Sequence, residues 1–251
     1  MIPLLAPLVG AMLVGTSLGL LGSGGSILTV PILVFLLGHP EKIAIPESLA
    51  IVAAIAAVGA LSSMVMKQVD WRSIYWFGLP AMAGAFLGAW LSQWLPGTVQ
   101  MLIFAALLVP AALRMLSSSE LKTHMCRPFC LGGAGLVVGI LSGLVGVGGG
   151  FLAVPALMVL GGLSLRLATG TSLVVIALSS TIGLVKHLHL LALSGQIIDW
   201  TVVGIFIVVG VVASAGGQWL ATRVPAIGLR RGFGVFLLCM TVLTAVETIR
   251  H

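Results

Sequence analysis

Charge is what this sequence has least of. Among its 251 residues, twelve are Lys or Arg and six are Asp or Glu. That 7% stands against the about 25% of a soluble domain. A chain so poor in charge cannot cover a water-facing surface, although it can cover a lipid-facing one. Long polar segments are also missing. None exceeds the stretch 117–128, which leaves no room for an aqueous domain. The cysteines Cys126, Cys130 and Cys239 are too few and too badly placed for a disulfide framework. Cys126 and Cys130 have i, i+4 spacing, but Pro128 lies between them and no second pair of His or Cys ligands is nearby, so they read as incidental thiols near a membrane boundary. No basic segment precedes the first apolar run, which therefore reads as a retained spanning helix and not a cleaved signal peptide.

What is present is apolar: 59% hydrophobic residues and a mean hydropathy of +1.23. About twenty such residues span a bilayer. Apolar blocks run over 2–38, 44–66, 72–94 and 98–116, and after the polar stretch over 129–161, 167–191, 197–221 and 231–249. This pattern predicts an all-α polytopic membrane protein. The net charge of +6 is scattered between these blocks, as the positive-inside rule produces, and no nucleic-acid partner is expected.

The chain is duplicated. Placing Pro31 on Pro155 aligns GTSLGLLGSGGSILTVP with GILSGLVGVGGGFLAVP. Gly15, Gly19, Leu20, Gly22, Gly24, Gly25, Leu28, Val30 and Pro31 are each identical in both copies. The register, a shift of 124, holds to Ser48-Leu49 against Ser172-Leu173. After a five-residue insertion the shift is 129, and Asp70-Trp71, Phe77, Gly88, Trp90-Leu91 and Pro96 match Asp199-Trp200, Phe206, Gly217, Trp219-Leu220 and Pro225. The expected organisation is a first membrane repeat over 1–116, a polar cytoplasmic linker over 117–128 and a second repeat over 129–251.

The first and fifth blocks are too long for one helix, and glycines interrupt both. If each crossed the membrane once, the basic residues would divide almost evenly between the two sides. If each folds back as a helical hairpin, Lys67, Arg72, Arg114, Lys122, Arg127, Arg166, Arg223, Arg230 and Arg231 share one side, leaving Lys42, Lys186 and Arg250. Cytoplasmic loops show the second distribution. It gives inverted-topology repeats, each with a Gly-broken hairpin plus three spanning helices, and both termini outside.

Gly22-Ser23-Gly24-Gly25-Ser26 and Gly146-Val147-Gly148-Gly149-Gly150 separate the two arms of those blocks. Non-helical backbone inside a membrane is tolerated where it is buried in protein or lines a watery cavity. Each following run begins with free N–H groups and the positive end of a helix dipole, which bind anions. Paired broken helices in inverted repeats mark a transport site. The candidate substrate-binding residues are thus Ser23, Gly24, Gly25, Ser26, Gly148, Gly149 and Gly150, with the hydroxyls of Ser48, Thr171 and Ser172 beside them. The competing reading of these glycines is tight helix packing, and that of the hydroxyls is capping or cross-helix bonding. Gly15, Gly19, Gly139 and Gly143, spaced at four, read as packing positions.

The repeated Gly-x-x-x-Gly-x-x-Gly-x-Gly-Gly, followed by an apolar run and Pro (Gly15–Pro31 and Gly139–Pro155), together with Ala-Thr-Gly-Thr-Ser-Leu at 168–173, resembles the sulfite exporter TauE/SafE family of membrane permeases. The likeness covers essentially the whole chain. It implies a multi-pass inner-membrane transporter for a small anion: sulfite, an organosulfonate, or a related sulfur-containing or carboxylate anion. The first copy departs from the pattern at Ala-Ile-Pro-Glu-Ser-Leu, where Glu47 stands opposite Thr171, and again at Ser23 opposite Val147. Selectivity is expected at these mismatches.

Glu47 has two readings: a proton carrier coupling anion movement to a gradient, and a boundary cap beside Pro46. Asp70 and Asp199 read as N-caps, with Trp71 and Trp200 at a membrane interface. His187 and His189 do not share a helix face, so no metal site is expected. They read as the lip of a pathway or an interfacial loop. Ser23 and Ser142 sit beside glycines, but no base is fixed within reach of either, which argues against an enzyme. No cofactor is expected. A passive anion channel and a non-transporting membrane assembly subunit remain as alternatives, and glycine-rich faces would permit a homodimer.

Overall fold

The computed structural model describes residues 2–21, 26–116, 128–194, 197–221, 238, 241 and 242. These are overwhelmingly helical, and no strand occurs among them. The helices are α1 (Ile2–Leu21), α2 (Ser26–Leu36), α3 (Glu41–Val65), α4 (Trp71–Trp94), α5 (Gly97–Leu116), α6 (Pro128–Val145), α7 (Gly150–Val159), α8 (Leu165–Ser194) and α9 (Trp200–Ala221). By the sequence alignment, α6 to α9 are the second copies of α1 to α4. Four helices are long and apolar enough to cross a membrane: Glu41–Val65, Trp71–Trp94, Arg166–Leu193 and Trp200–Gly217. They form two repeat-related pairs. The linker segment before Pro128 and nearly all of the last apolar block lie outside the described residues.

Each copy completes itself on the other. α1 lies along α9, α6 lies along α4, and α3 packs against its own counterpart α8. Likewise α4 touches α8 and α9 touches α3. Reciprocal contacts of this kind, in which i meets j and the equivalent of j meets the equivalent of i, define an isologous arrangement. Individual residues obey it. A Cβ on Gly15 would collide with the backbone of Gly210, and one on Gly139 would collide with the carbonyl of Ala81. Gly139 is the second-copy partner of Gly15, and Ala81 is the first-copy partner of Gly210.

Small residues make these seams because apolar lipid supplies no hydrophobic force between helices, and close backbone packing must replace it. Along the α4–α6 seam, Gly84 and Gly88 face the backbone of Leu136–Leu144, while Gly135, Gly139 and Gly143 face the carbonyls of Phe77, Ala81 and Ala85. The packing reading thus holds for Gly15, Gly139 and Gly143. The repeat-related Phe77 and Phe206 are both fully buried. Between α3 and α8, Val52, Ala56, Ala60, Leu173, Val174 and Ile176 form a buried apolar cluster.

The outer surface is apolar. Val9, Met12 and Leu13 on α1 and Val208 and Val212 on α9 are exposed, as are Trp71, Tyr75, Trp94 and Trp200 near helix ends. In lipid that surface is matched, with aromatic rings where interfacial belts occur. Asp70 and Asp199 cap α4 and α9 as expected. Asp70 Oδ2 accepts from Ser73 N at 3.0 Å, and Asp199 Oδ1 accepts from Thr201 N at 2.9 Å and Val202 N at 3.2 Å.

One expectation is corrected. His187 lies neither in a loop nor at a lip, because the five-residue insertion lengthens a helix. α3 has 25 residues and α8 has 30. The inserted region contains no Gly or Pro to stop it, so α8 continues through Lys186-His187-Leu188-His189. His187 is 6% exposed, and its Nε2 donates to the Gly143 carbonyl on α6 at 2.9 Å.

Candidate functional site around the second glycine loop

The long fifth block breaks where the glycines are. α6 ends at Val145, and α7 starts at Gly150. Between them Gly146, Gly148 and Gly149 have φ of +80°, +70° and +68°. L-residues with a side chain rarely adopt these angles, so glycine is required here for conformation as well as for space. The loop is buried. A Cβ on Gly146 would strike Ile45 of α3, one on Gly148 would strike Val52 of α3 and Ser180 of α8, and one on Gly149 would strike Ser142 of α6. The amino end of α7 is therefore held between the central helices α3 and α8.

Ser48 comes to this loop, where its hydroxyl donates to the Gly146 carbonyl at 2.5 Å. Its copy Ser172 instead donates to Thr169 of its own helix at 2.8 Å. Thr171 reaches the start of α4, where its Oγ1 accepts from Asp70 N at 2.9 Å. Ser26 is fully buried at the start of α2. Gly148, Gly149 and Gly150 form the turn and the first residue of α7. Ser23, Gly24 and Gly25, together with Gly22, lie outside the described residues.

Glu47 is fully buried. Its Oε2 pairs with His39 Nδ1 at 2.6 Å, and its Oε1 accepts from Asp199 N at 3.1 Å. This mirrors Thr171 and Asp70. In each copy, the residue before the repeated Ser-Leu accepts from the N-cap backbone N–H of a helix of the repeat-related pair α4 and α9: Thr171 from Asp70 before α4, and Glu47 from Asp199 before α9. Lys42 Nζ donates to the carbonyls of Ser92 and Leu95 at the end of α4, satisfying groups left open by helix geometry.

Two residues beside the loop were not singled out as binding residues from sequence, Ser142 and Ser180. Both are buried, and neither hydroxyl has a hydrogen-bond partner. Ser142 also lines a narrow crevice with Gly149, walled by Phe104, Leu107, Leu141, Val145, Val147 and Leu152. Among the described residues, no group of three or more His, Cys, Asp or Glu is placed to hold a metal.

An all-helical body with an apolar exterior and a buried break between reciprocally packed copies is the framework of a membrane transporter. The particular family follows from comparison: residues 8–244 match the family model for the sulfite exporter TauE/SafE, and the chain belongs to that family. A probable membrane transporter protein of Xylella fastidiosa is 33% identical over 242 residues, covering 92% of this chain and 90% of its own. The probable membrane transporter protein YunE of Bacillus subtilis is 30% identical over 206 residues, covering 70% and 75%. A counterpart in Methanocaldococcus jannaschii is 28% identical over 200 residues, covering 74% and 73%. The chain is thus a membrane transporter of the TauE/SafE type, a family of transporters and not of enzymes.

Proposed function

We propose that the chain is a multi-pass inner-membrane permease for a small oxyanion such as sulfite, an organosulfonate, or a related sulfur-containing or carboxylate anion. The observation that carries this reading is the buried break at Gly146–Gly149, which aims the amino end of α7 into the protein between α3 and α8. Such an end offers N–H donors and a positive dipole without a buried Lys or Arg. In this reading the copies are inverted, each glycine-broken block is a hairpin, and the two loops meet near the midplane. The bilayer is the chain's surroundings, and a homodimer is compatible with its glycine faces. Reciprocal packing of the copies supports a rocking exchange of access.

Glu47 is the proposed coupling group. An ionisable side chain within a span is a functional candidate by its cost alone. This one joins His39 to the first turn of α9, so a change in its proton occupancy acts on a contact between the copies. The test is anion flux into proteoliposomes. Uptake should saturate with sulfite or a short alkanesulfonate, respond to a proton gradient, and lose that response in Glu47→Gln. Ohmic currents would identify a channel, and no flux of any small anion would overturn the reading.

A further inference from the structure

Hydroxyls on these helices usually satisfy themselves. Ser17, Ser63, Ser92, Ser172, Ser179, Thr181 and Ser214 each donate to a carbonyl three or four residues back, the common recourse of a hydroxyl on an apolar helix. Ser142 and Ser180 do not, although they are 3% and 0% exposed. A buried polar group without a partner is costly, and natural structures keep few of them.

Both serines address the same turn from different helices. Ser180 Oγ lies 2.8 Å from where a Cβ of Gly148 would be, and Ser142 Oγ lies 3.2 Å from where a Cβ of Gly149 would be. That turn leads into α7, a helix of ten residues whose first N–H groups have no acceptor within it. We propose that the hydroxyls of Ser142 and Ser180 donate to an oxyanion held against Gly148–Gly150, and that the apolar crevice beside Ser142 takes a short hydrocarbon substituent on it. The inference rests on the permease reading above and adds the polar contacts and the shape of the ligand.

The serine pair belongs to the second copy; the first copy has a buried unpartnered hydroxyl of its own, that of Thr29 on α2. Opposite Ser142 the first copy has Leu18. Opposite Ser180 it has Ala56 or Ile51, according to which side of the insertion is counted, and none of these donates a hydrogen bond. The crevice is too narrow for a water molecule in this conformation. An anion enters only when its walls part, which ties binding to the movement of transport.

The test uses full-length wild type, Ser142→Ala, Ser180→Ala and the double variant in detergent, titrated with ethanesulfonate, sulfite and sulfate by calorimetry, with melting followed without anion. Each variant is expected to melt at or above the wild-type temperature, because it loses an unsatisfied hydroxyl and no bond. The Kd for ethanesulfonate should rise about tenfold for each serine removed. A clear drop in melting temperature without anion would show structural serines and overturn the proposal. Anion binding by the wild type that is unchanged in the double variant would remove the serine assignment and leave the permease reading standing. Sulfite bound as tightly as ethanesulfonate would remove the hydrocarbon contact. Failure of the wild type to bind any of the three, together with no flux in proteoliposomes, would sink the permease reading itself.

Discussion

Glu47 and Thr171 occupy equivalent places in the two copies and accept from equivalent backbone N–H groups, those of Asp199 and Asp70. One is a carboxylate tied to His39, and the other is a neutral hydroxyl. The contrast separates what the scaffold needs from what differs between the copies. The scaffold needs an acceptor at the start of the next helix, and either chemistry provides it. The pairing with a histidine exists in only one of the two. The copies also differ at Ser142 and Ser180, unpartnered beside the second glycine loop, where the sequence of the first copy has Leu18 and Ala56 or Ile51.

The reciprocal seams are where the comparison can be broken most severely. Gly139→Ala and Gly15→Ala each push a Cβ into the facing backbone. Overpacking of this kind costs about 1–3 kcal/mol, and because the relieving shift must move a whole helix, the upper end is expected for both. Unfolding in mixed detergent would measure it. Similar losses at the two positions would confirm that the copies share one packing solution, whereas loss at only one would break the equivalence.

The cross-copy links come next. Glu47→Ala strands both Asp199 N and His39 and should lose about 2 kcal/mol, while Thr171→Ala strands only Asp70 N and should lose about 1 kcal/mol. Equal losses would mean that the His39 contact adds nothing to stability. Smallest are the caps. Asp70→Ala and Asp199→Ala should each cost about 1 kcal/mol, with Asp70 the larger because its two bonds are part-buried and those of Asp199 are exposed.

Much of this architecture was legible in the sequence. Apolar blocks located the helices, and a glycine-matched alignment located the duplication and the break before α7. The caps at Asp70 and Asp199 followed from local chemistry that needs no tertiary partner. The insertion was legible as a length difference but not as a longer helix, so His187 was expected in a loop and lies buried against Gly143. Ser142 and Ser180 were least legible. A serine on an apolar helix ordinarily bonds back to its own carbonyls, and only the placement of three helices around one turn shows that these two do not. The exchange of partners between copies was likewise hidden, since a repeat alignment specifies equivalence and not contact.

The proposed inversion of the copies is tested at residues that occupy equivalent helix starts. Arg72 and Thr201 are exposed in the first turns of α4 and α9. In a chain whose Cys126, Cys130 and Cys239 are replaced, a single cysteine at either position can be challenged with a membrane-impermeant thiol reagent from each side of the membrane. Inversion predicts labelling from opposite sides, with position 72 cytoplasmic and position 201 external. Labelling of both from the same side would contradict it.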